Sequence, residues 1–170
     1  LSSSSAASDV YKRQNPGCMR ILTTMFGWAF SPSNVDKGYV KPDPKIFHEP
    51  FTIRDVVITP IPVQHGNVET NGFLFLFRNN KTMAYIPDVK LIPDSSLDLL
   101  RGCDILAIDA LHHRAHHNHM NVEEAIAAVA AIKPKQAFLT HLSHEIEHQA
   151  VDRSLPDGIH LAYDTLSLTL

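Results

Sequence analysis

Residues 105–125, ILAIDALHHRAHHNHMNVEEA, decide how this chain is read. From Asp104 to Ala110 the run is continuously apolar and predicts a strand; from Val122 to Ile132 it predicts a helix, with Asn121 as N-cap and Glu123 and Glu124 at the positive end of its dipole. The connection between them is crowded with imidazoles. A second strand, Gln136–Thr140, runs the same way into LTHLSHEIEH (139–148), with a helix expected over His144–Arg153. Eight of the eleven histidines lie between His112 and His148, each run where a strand meets a helix. Imidazole is both the commonest nitrogen ligand for zinc-class metals and the side chain best suited to proton transfer near neutral pH. The chain therefore reads as a metal-dependent hydrolase.

Upstream, candidate strands fall at Lys45–Ile53, Val56–Gln64, Gly72–Arg78 and Thr82–Pro87, separated by polar turns such as RNNK. A short helix is predicted over Met19–Phe30 from Ile21, Leu22, Met25, Phe26 and Phe30, closed by SPSN at 31–34, and another over Pro93–Leu100. Ile159–Tyr163 and Ser167–Leu170 read as closing strands around a turn at Asp164. Strands first, then strand and helix in alternation, indicate an α/β class with sheet packed on helices. The leader LSSSSAASDVYKRQ (1–14) has a serine run and no apolar periodicity, so it reads as a disordered, foreign-looking segment ahead of a domain over 15–170.

At 44% hydrophobic and net charge -3, the 170 residues have the composition of one soluble domain with a real core. No long basic run is present, which argues against duplex nucleic acid as a partner. Cys18 and Cys103 lack CxxC spacing, against both a disulfide framework and a thiolate metal cage, and a reducing cytoplasm fits best. No apolar stretch approaches the roughly 20 residues of a membrane span, so no anchor is expected.

Three strand ends carry the candidate ligands: PIPVQHG (60–66) presents His65, YIPD (85–88) presents Asp88 and AFLTH (137–141) presents His141. A single strand-end histidine is more often a cap or a solvated residue, and an aspartate there more often a turn former. Together, one carboxylate and two imidazoles match the ligand set that binds Zn, Mn or Fe with room for water. His112 and His113 read as solvated loop residues. His116 and His119 are spaced to converge in a tight turn ahead of Asn121, with His117 toward water. His144 and His148 sit one helical turn apart, and His144, close to His141, is read as a substrate contact.

Taken together, VITPIPVQHG (57–66), MAYIPD (83–88), residues 105–125, AFLTHLSHEIEH (137–148) and LAYDTL (161–166) resemble the metallo-β-lactamase-fold hydrolases. The resemblance runs over about residues 18–170 and is strongest to the phosphodiesterase branch, with the cyclic phosphodiesterase of phosphonate degradation and the tRNA 3'-processing endonucleases. It implies an αβ/βα sandwich holding two divalent metals, Zn or Mn, in the full-length protein. His65 then completes the first metal's ligands, Asp88 bridges both, and His141 belongs to the second. His119 is the acid or base near the leaving group, and His144 and His116 bind substrate. The family's H-x-H-x-D-H motif is nowhere in this sequence. The resemblance therefore implies a four-layer sandwich lacking its N-terminal strands, with four ligands missing, a partial site and an inactive fragment. The implied substrate is a small phosphodiester or nucleotide-like molecule, and a homodimer is admitted. A hydrolase of thioesters, lactones or nucleic-acid ends, and a non-catalytic histidine-rich metal binder, are the alternatives.

Overall fold

The computed structural model describes residues 11–33 and 41–170. The chain divides into two compact units, 1–48 and 49–170.

In the first unit, strand β1 (Tyr11–Gln14) pairs in parallel with β2 (Asp43–Ile46), from Tyr11↔Asp43 to Gln14↔Ile46. Phe47 N continues the ladder onto Gln14 O at 3.1 Å. This corrects the expectation of disorder for residues 11–14. The serine-rich neighbourhood hides a strand whose hydrogen-bonding partner lies some thirty positions away. The Lys45 ammonium and the Arg13 guanidinium also lie over the Tyr11 ring, at 5.3 and 5.4 Å. Residues 1–10 lie outside the described residues, as does Asn34 of the predicted SPSN stop. Helix α1 (Pro16–Met25) starts earlier than expected. Asn15 Oδ1 accepts from Cys18 N at 2.7 Å, and Pro16 supplies the pre-set φ of a first helical residue. The expected helix to Phe30 breaks after Met25, and Gly27–Phe30 forms a separate 3₁₀ turn.

The second unit is a seven-stranded mixed sheet in the order β3-β4-β5-β6-β7-β8-β9. Its strands are β3 (Phe51–Ile53), β4 (Val56–His65), β5 (Val68–Leu76), β6 (Thr82–Ile86), β7 (Ile105–Asp109), β8 (Gln136–Thr140) and β9 (Ile159–Leu161). Strands β3 to β6 pair antiparallel through short turns, and β6 to β9 pair in parallel. The parallel crossovers carry α2 (Asp94–Leu100), α3 (Val122–Ile132) and α4 (His148–Ser154). The sequence expected one strand over Lys45–Ile53, but its two halves are β2 and β3, split at His48–Pro50. The expected closing strand at Ser167–Leu170 carries no strand pairing.

The expected cap of α3 is present as a reciprocal box: Asn121 Oδ1 accepts from Glu124 N at 2.8 Å, and Glu124 Oε2 accepts from Asn121 N at 3.0 Å. The helix stops at Lys133 (φ 56), immediately before Pro134. Helix α4 begins four residues later than predicted, at His148, where Glu147 accepts from Ala150 N at 2.6 Å. The preceding stretch is instead tied to the neighbouring loop, since Ser143 N bonds Leu111 O at 2.8 Å.

The core lies on one face of the sheet. Ile61, Val63, Ala84, Ile86, Leu106, Ile108 and Leu139 alternate along their strands and meet Leu100, Val122, Ala125, Val129 and Ile132 of the helices. Gly72 permits this packing, because a Cβ there would lie 2.8 Å from Ile86 Cγ1. Each fully buried Leu or Ile contributes about 1.5–3 kcal/mol. Among the described residues no helix is long and apolar enough to cross a membrane.

Candidate metal and catalytic site

Strands β4 and β6 are both antiparallel to β5, so they run the same way, and β7, β8 and β9 follow β6 in parallel. Their C-terminal ends share one edge of the sheet, where open α/β sheets gather ligands. His65 is the last residue of β4, Asp88 lies two past β6, Asp109 ends β7 and His141 follows β8 directly. His141 has a left-handed backbone (φ 59), uncommon outside glycine, that turns the chain sharply as it leaves the strand.

The remaining ligand-bearing loop, Leu111–Met120, is anchored by three backbone bonds: Leu111 N to Met120 O (2.9 Å), Met120 N to Val89 O (2.8 Å) and Val122 N to His112 O (3.1 Å). Inside it, His116 Nδ1 accepts from the backbone N–H groups of Asn118 and His119, each at 3.2 Å. Gly66 (φ 58) lets the loop come close, since a Cβ there would stand 2.3 Å from Asn118 Oδ1.

The result is a chain of contacts centred on His119. Its Nδ1 donates to Asp109 Oδ2 at 2.7 Å, and its Nε2 lies 3.1 Å from His65 Nε2. Its ring stacks on His141 with centroids 4.8 Å apart. His141 Nδ1 is 3.5 Å from Asp109 Oδ1, and its Nε2 is 3.7 Å from Asp88 Oδ1. Two overlapping groups, His65–Asp88–His119 and Asp109–His119–His141, each present ligand atoms within 4.8 Å of one another.

Asp109 is wholly buried. Burial pushes its carboxyl above the usual carboxylate range, opposed by the Val89 N–H (3.0 Å to Oδ2) and by His119 and His141. Its other oxygen, Oδ1, has no hydrogen-bond partner. Such orphaned buried acceptors are rare in folded proteins. A cation beside Oδ1, or one between the facing nitrogens of His65 and His119, would satisfy this arrangement, and the imidazole and carboxylate donors are those of a zinc- or manganese-type ion. The residues present fit a divalent metal.

Of the residues read from sequence, His65, Asp88, His119 and His141 do come together. His116 stands next to them, its ring 5.2 Å from His119, and its pKa is lowered by burial and then by His117, His119 and His112. His144 is exposed in the turn after His141 and shares no helical face with His148, because that turn is not helical. His112 is not a solvated residue: it is buried, with Nδ1 unbonded and its ring 5.7 Å from His116. His113 and His117 are exposed, as expected. His148 lies 3.3 Å from Ala162 O and meets the Tyr163 ring edge-on. Sequence reading missed Asp109, which it absorbed into an apolar strand. The available signal was a lone acid within such a run, since a strand buried on both faces holds a carboxylate only where something partners it.

The β-lactamase superfamily domain family matches residues 6–142. An octanoyltransferase of Porphyromonas gingivalis is 33% identical over 129 residues, which cover 75% of this chain and 24% of that protein. Among solved structures, a diphosphatase from the PhnP family superposes with a TM-score of 0.82 at 31% identity, over 95% of this chain and 58% of its own. Human tRNase Z, short form, is 13% identical and shows the same fold, with a TM-score of 0.65 over 96% of this chain and 69% of its own. The chain thus spans 58% of the diphosphatase and 24% of the octanoyltransferase. Superfamily members are metal-dependent hydrolases. The mixed sheet and its ligand-bearing edge are those of this family: the chain has a metallo-β-lactamase fold and belongs to the β-lactamase superfamily.

Proposed function

We propose that this chain carries part of the metal site and the proton donor of a phosphodiesterase that uses two divalent metals. The supporting observation is the Asp109–His119–His65 series, in which one imidazole is fixed by a buried carboxylate and faces a second imidazole at 3.1 Å. His65, Asp88 and His141 would hold the divalent metal. Bound divalent ions supply Lewis-acid polarisation of the phosphoryl group and a lowered pKa for water.

His119 provides the acid. Asp109 accepts the hydrogen bond from His119 Nδ1–H, which orients the ring and aims Nε2–H into the cleft as the donor. Water oxygen bonds to phosphorus as the bond to the departing oxygen breaks. His119 Nε2 protonates that oxygen and regains a proton from the water. His116, which receives the two loop N–H groups, sets the position of His119, and His144 reaches substrate from the exposed turn. In the family the other metal ligands are supplied by the H-x-H-x-D-H motif, and this chain matches 58% of the diphosphatase's length. The unpaired Cys18 and Cys103 suit a reducing cytoplasm.

A second reading, acyl or thioester hydrolysis, draws on the identity with the octanoyltransferase. The test is turnover by the full-length protein on an aryl phosphodiester beside an octanoyl thioester and a lactone. Phosphodiester cleavage that follows metal content supports the proposal, and acyl cleavage alone transfers the assignment to the second reading.

A further inference from the structure

The same sheet edge extends one strand beyond His141. There β9 ends and Ala162, Tyr163 and Asp164 border a cavity of about 250 Å³ with Thr140, His141 and Leu142. Tyr163 is 59% exposed, on a backbone that is tied down on both sides and with one ring neighbour. Ala162 N bonds Leu139 O at 2.8 Å, Leu166 N bonds Tyr163 O at 3.1 Å, and the His148 ring supports the tyrosine edge-on with centroids 6.2 Å apart. A tyrosine on ordered backbone has only two side-chain torsions to lose when a planar ligand settles on its open ring.

Position determines which part of a substrate it meets. Strand β8 lies between β7 and β9, so Tyr163 is on the side of His141 away from Asp109, at a strand spacing of about 4.8 Å. The proton donor His119 hangs on Asp109, and the leaving group must face it. The arm that stays on phosphorus then points toward Tyr163. A cavity this size sits below the ~300–1,000 Å³ of full ligand clefts, suiting one ring and its sugar more than a second nucleotide.

Resting on the phosphodiesterase reading, we propose that Tyr163 is the stacking platform for a nucleobase on the retained arm of the substrate, with the Asp164 carboxylate as hydrogen-bond acceptor for its sugar or exocyclic groups. The substrate class is a nucleoside 5'-phosphate esterified or anhydride-linked to a leaving group, and the product is a nucleoside monophosphate.

The experiment compares two esters in the full-length protein with one leaving group: thymidine 5'-p-nitrophenyl phosphate and methyl p-nitrophenyl phosphate. For the thymidine ester, Tyr163→Ala raises KM about 10-fold, the effect of losing one base stack, and leaves kcat within about two-fold. The methyl ester is unaffected, and Tyr163→Phe restores the wild-type KM. Equal changes for both esters, or none, overturn the platform. If neither ester turns over, the phosphodiesterase reading fails on its own. Titration with AMP against ribose 5-phosphate then decides the platform separately: a preference for AMP that Tyr163→Ala abolishes upholds it, and equal affinity overturns it.

Discussion

His119 is the residue on which the proposed chemistry turns, because its two nitrogens face different partners: a buried carboxylate on one side and His65 on the other. The proposal makes it a proton donor and not a metal ligand, and the two roles separate by mutation. His119→Ala in the full-length protein should keep its metal while slowing poor leaving groups by roughly 10²–10⁴-fold, with activated aryl esters affected less. Turnover over a leaving-group series, run beside metal analysis, decides this. Loss of metal, or equal slowing throughout, makes His119 a ligand. Asp88→Ala and His141→Ala should lower metal content and turnover together. His112 behaves differently again. It is buried, so His112→Ala leaves metal content unchanged but lowers stability, by about 1–3 kcal/mol on the usual scale of core truncations, readable in a urea melt. Unequal metal loss that spares Asp88→Ala would remove that residue from the site.

Among the elements, the junction of β6, β7 and β8 depends on Asp104. Its carboxylate accepts from Lys135 Nζ (2.8 Å), Lys81 Nζ (3.2 Å) and Thr82 N (2.9 Å) and Oγ1 (3.2 Å). The Lys135 ammonium first, then the Thr82 N–H, hold its pKa well below the usual carboxylate range. A depressed folded pKa makes the contribution present above the unfolded value near 3.8 and lost as pH falls below it toward the folded value. Asp104→Asn should therefore lower Tm at pH 7 by a margin that begins to narrow only below the unfolded value near 3.8 and closes only as pH approaches the depressed folded value, measured by thermal melts across the acid range. A difference that does not narrow at all as pH falls below the unfolded value near 3.8 assigns the effect to packing. Helix boundaries show how such local chemistry competes with pattern. Asn121 and Glu124 cap α3 where the sequence marks it, whereas α4 starts late because Ser143 and its neighbours bond to the adjacent loop.

For the molecule as a whole, the sheet of the second unit is apolar on both faces. Opposite the helix-packed core, Ile53, Val56, Ile58, Phe75, Phe77, Met83 and Tyr85 border a cavity of about 670 Å³. Sheets with two apolar faces are ordinarily covered on both. Together with the missing ligand motif, this predicts that the 170-residue chain binds ANS and holds metal weakly, while a longer protein carrying H-x-H-x-D-H ahead of it holds about two metals and loses the ANS signal. Elemental analysis after dialysis is the check, and two tightly held ions on the 170-residue chain would refute the argument.

The sequence by itself determined the strand–loop–helix units, the Asn121 cap and the residues at strand ends, His65, Asp88 and His141. Each rests on local signals: apolar period, capping chemistry and histidines clustered at strand ends. It also carried the superfamily, since the order of those motifs is a property of the linear chain. Only the tertiary structure decided which histidines matter in depth. His112 and His113 are adjacent and alike in sequence, yet packing buries one and leaves the other in water. Asp109 reads as an apolar-strand residue until β6 and β8 flank it and bring Val89, His119 and His141 to its carboxylate. Strand β1 is legible only once β2 supplies its partner. Burial and hydrogen-bond partnership are made by segments distant in sequence, so local pattern marks where ligands stand and the fold selects the ones that meet.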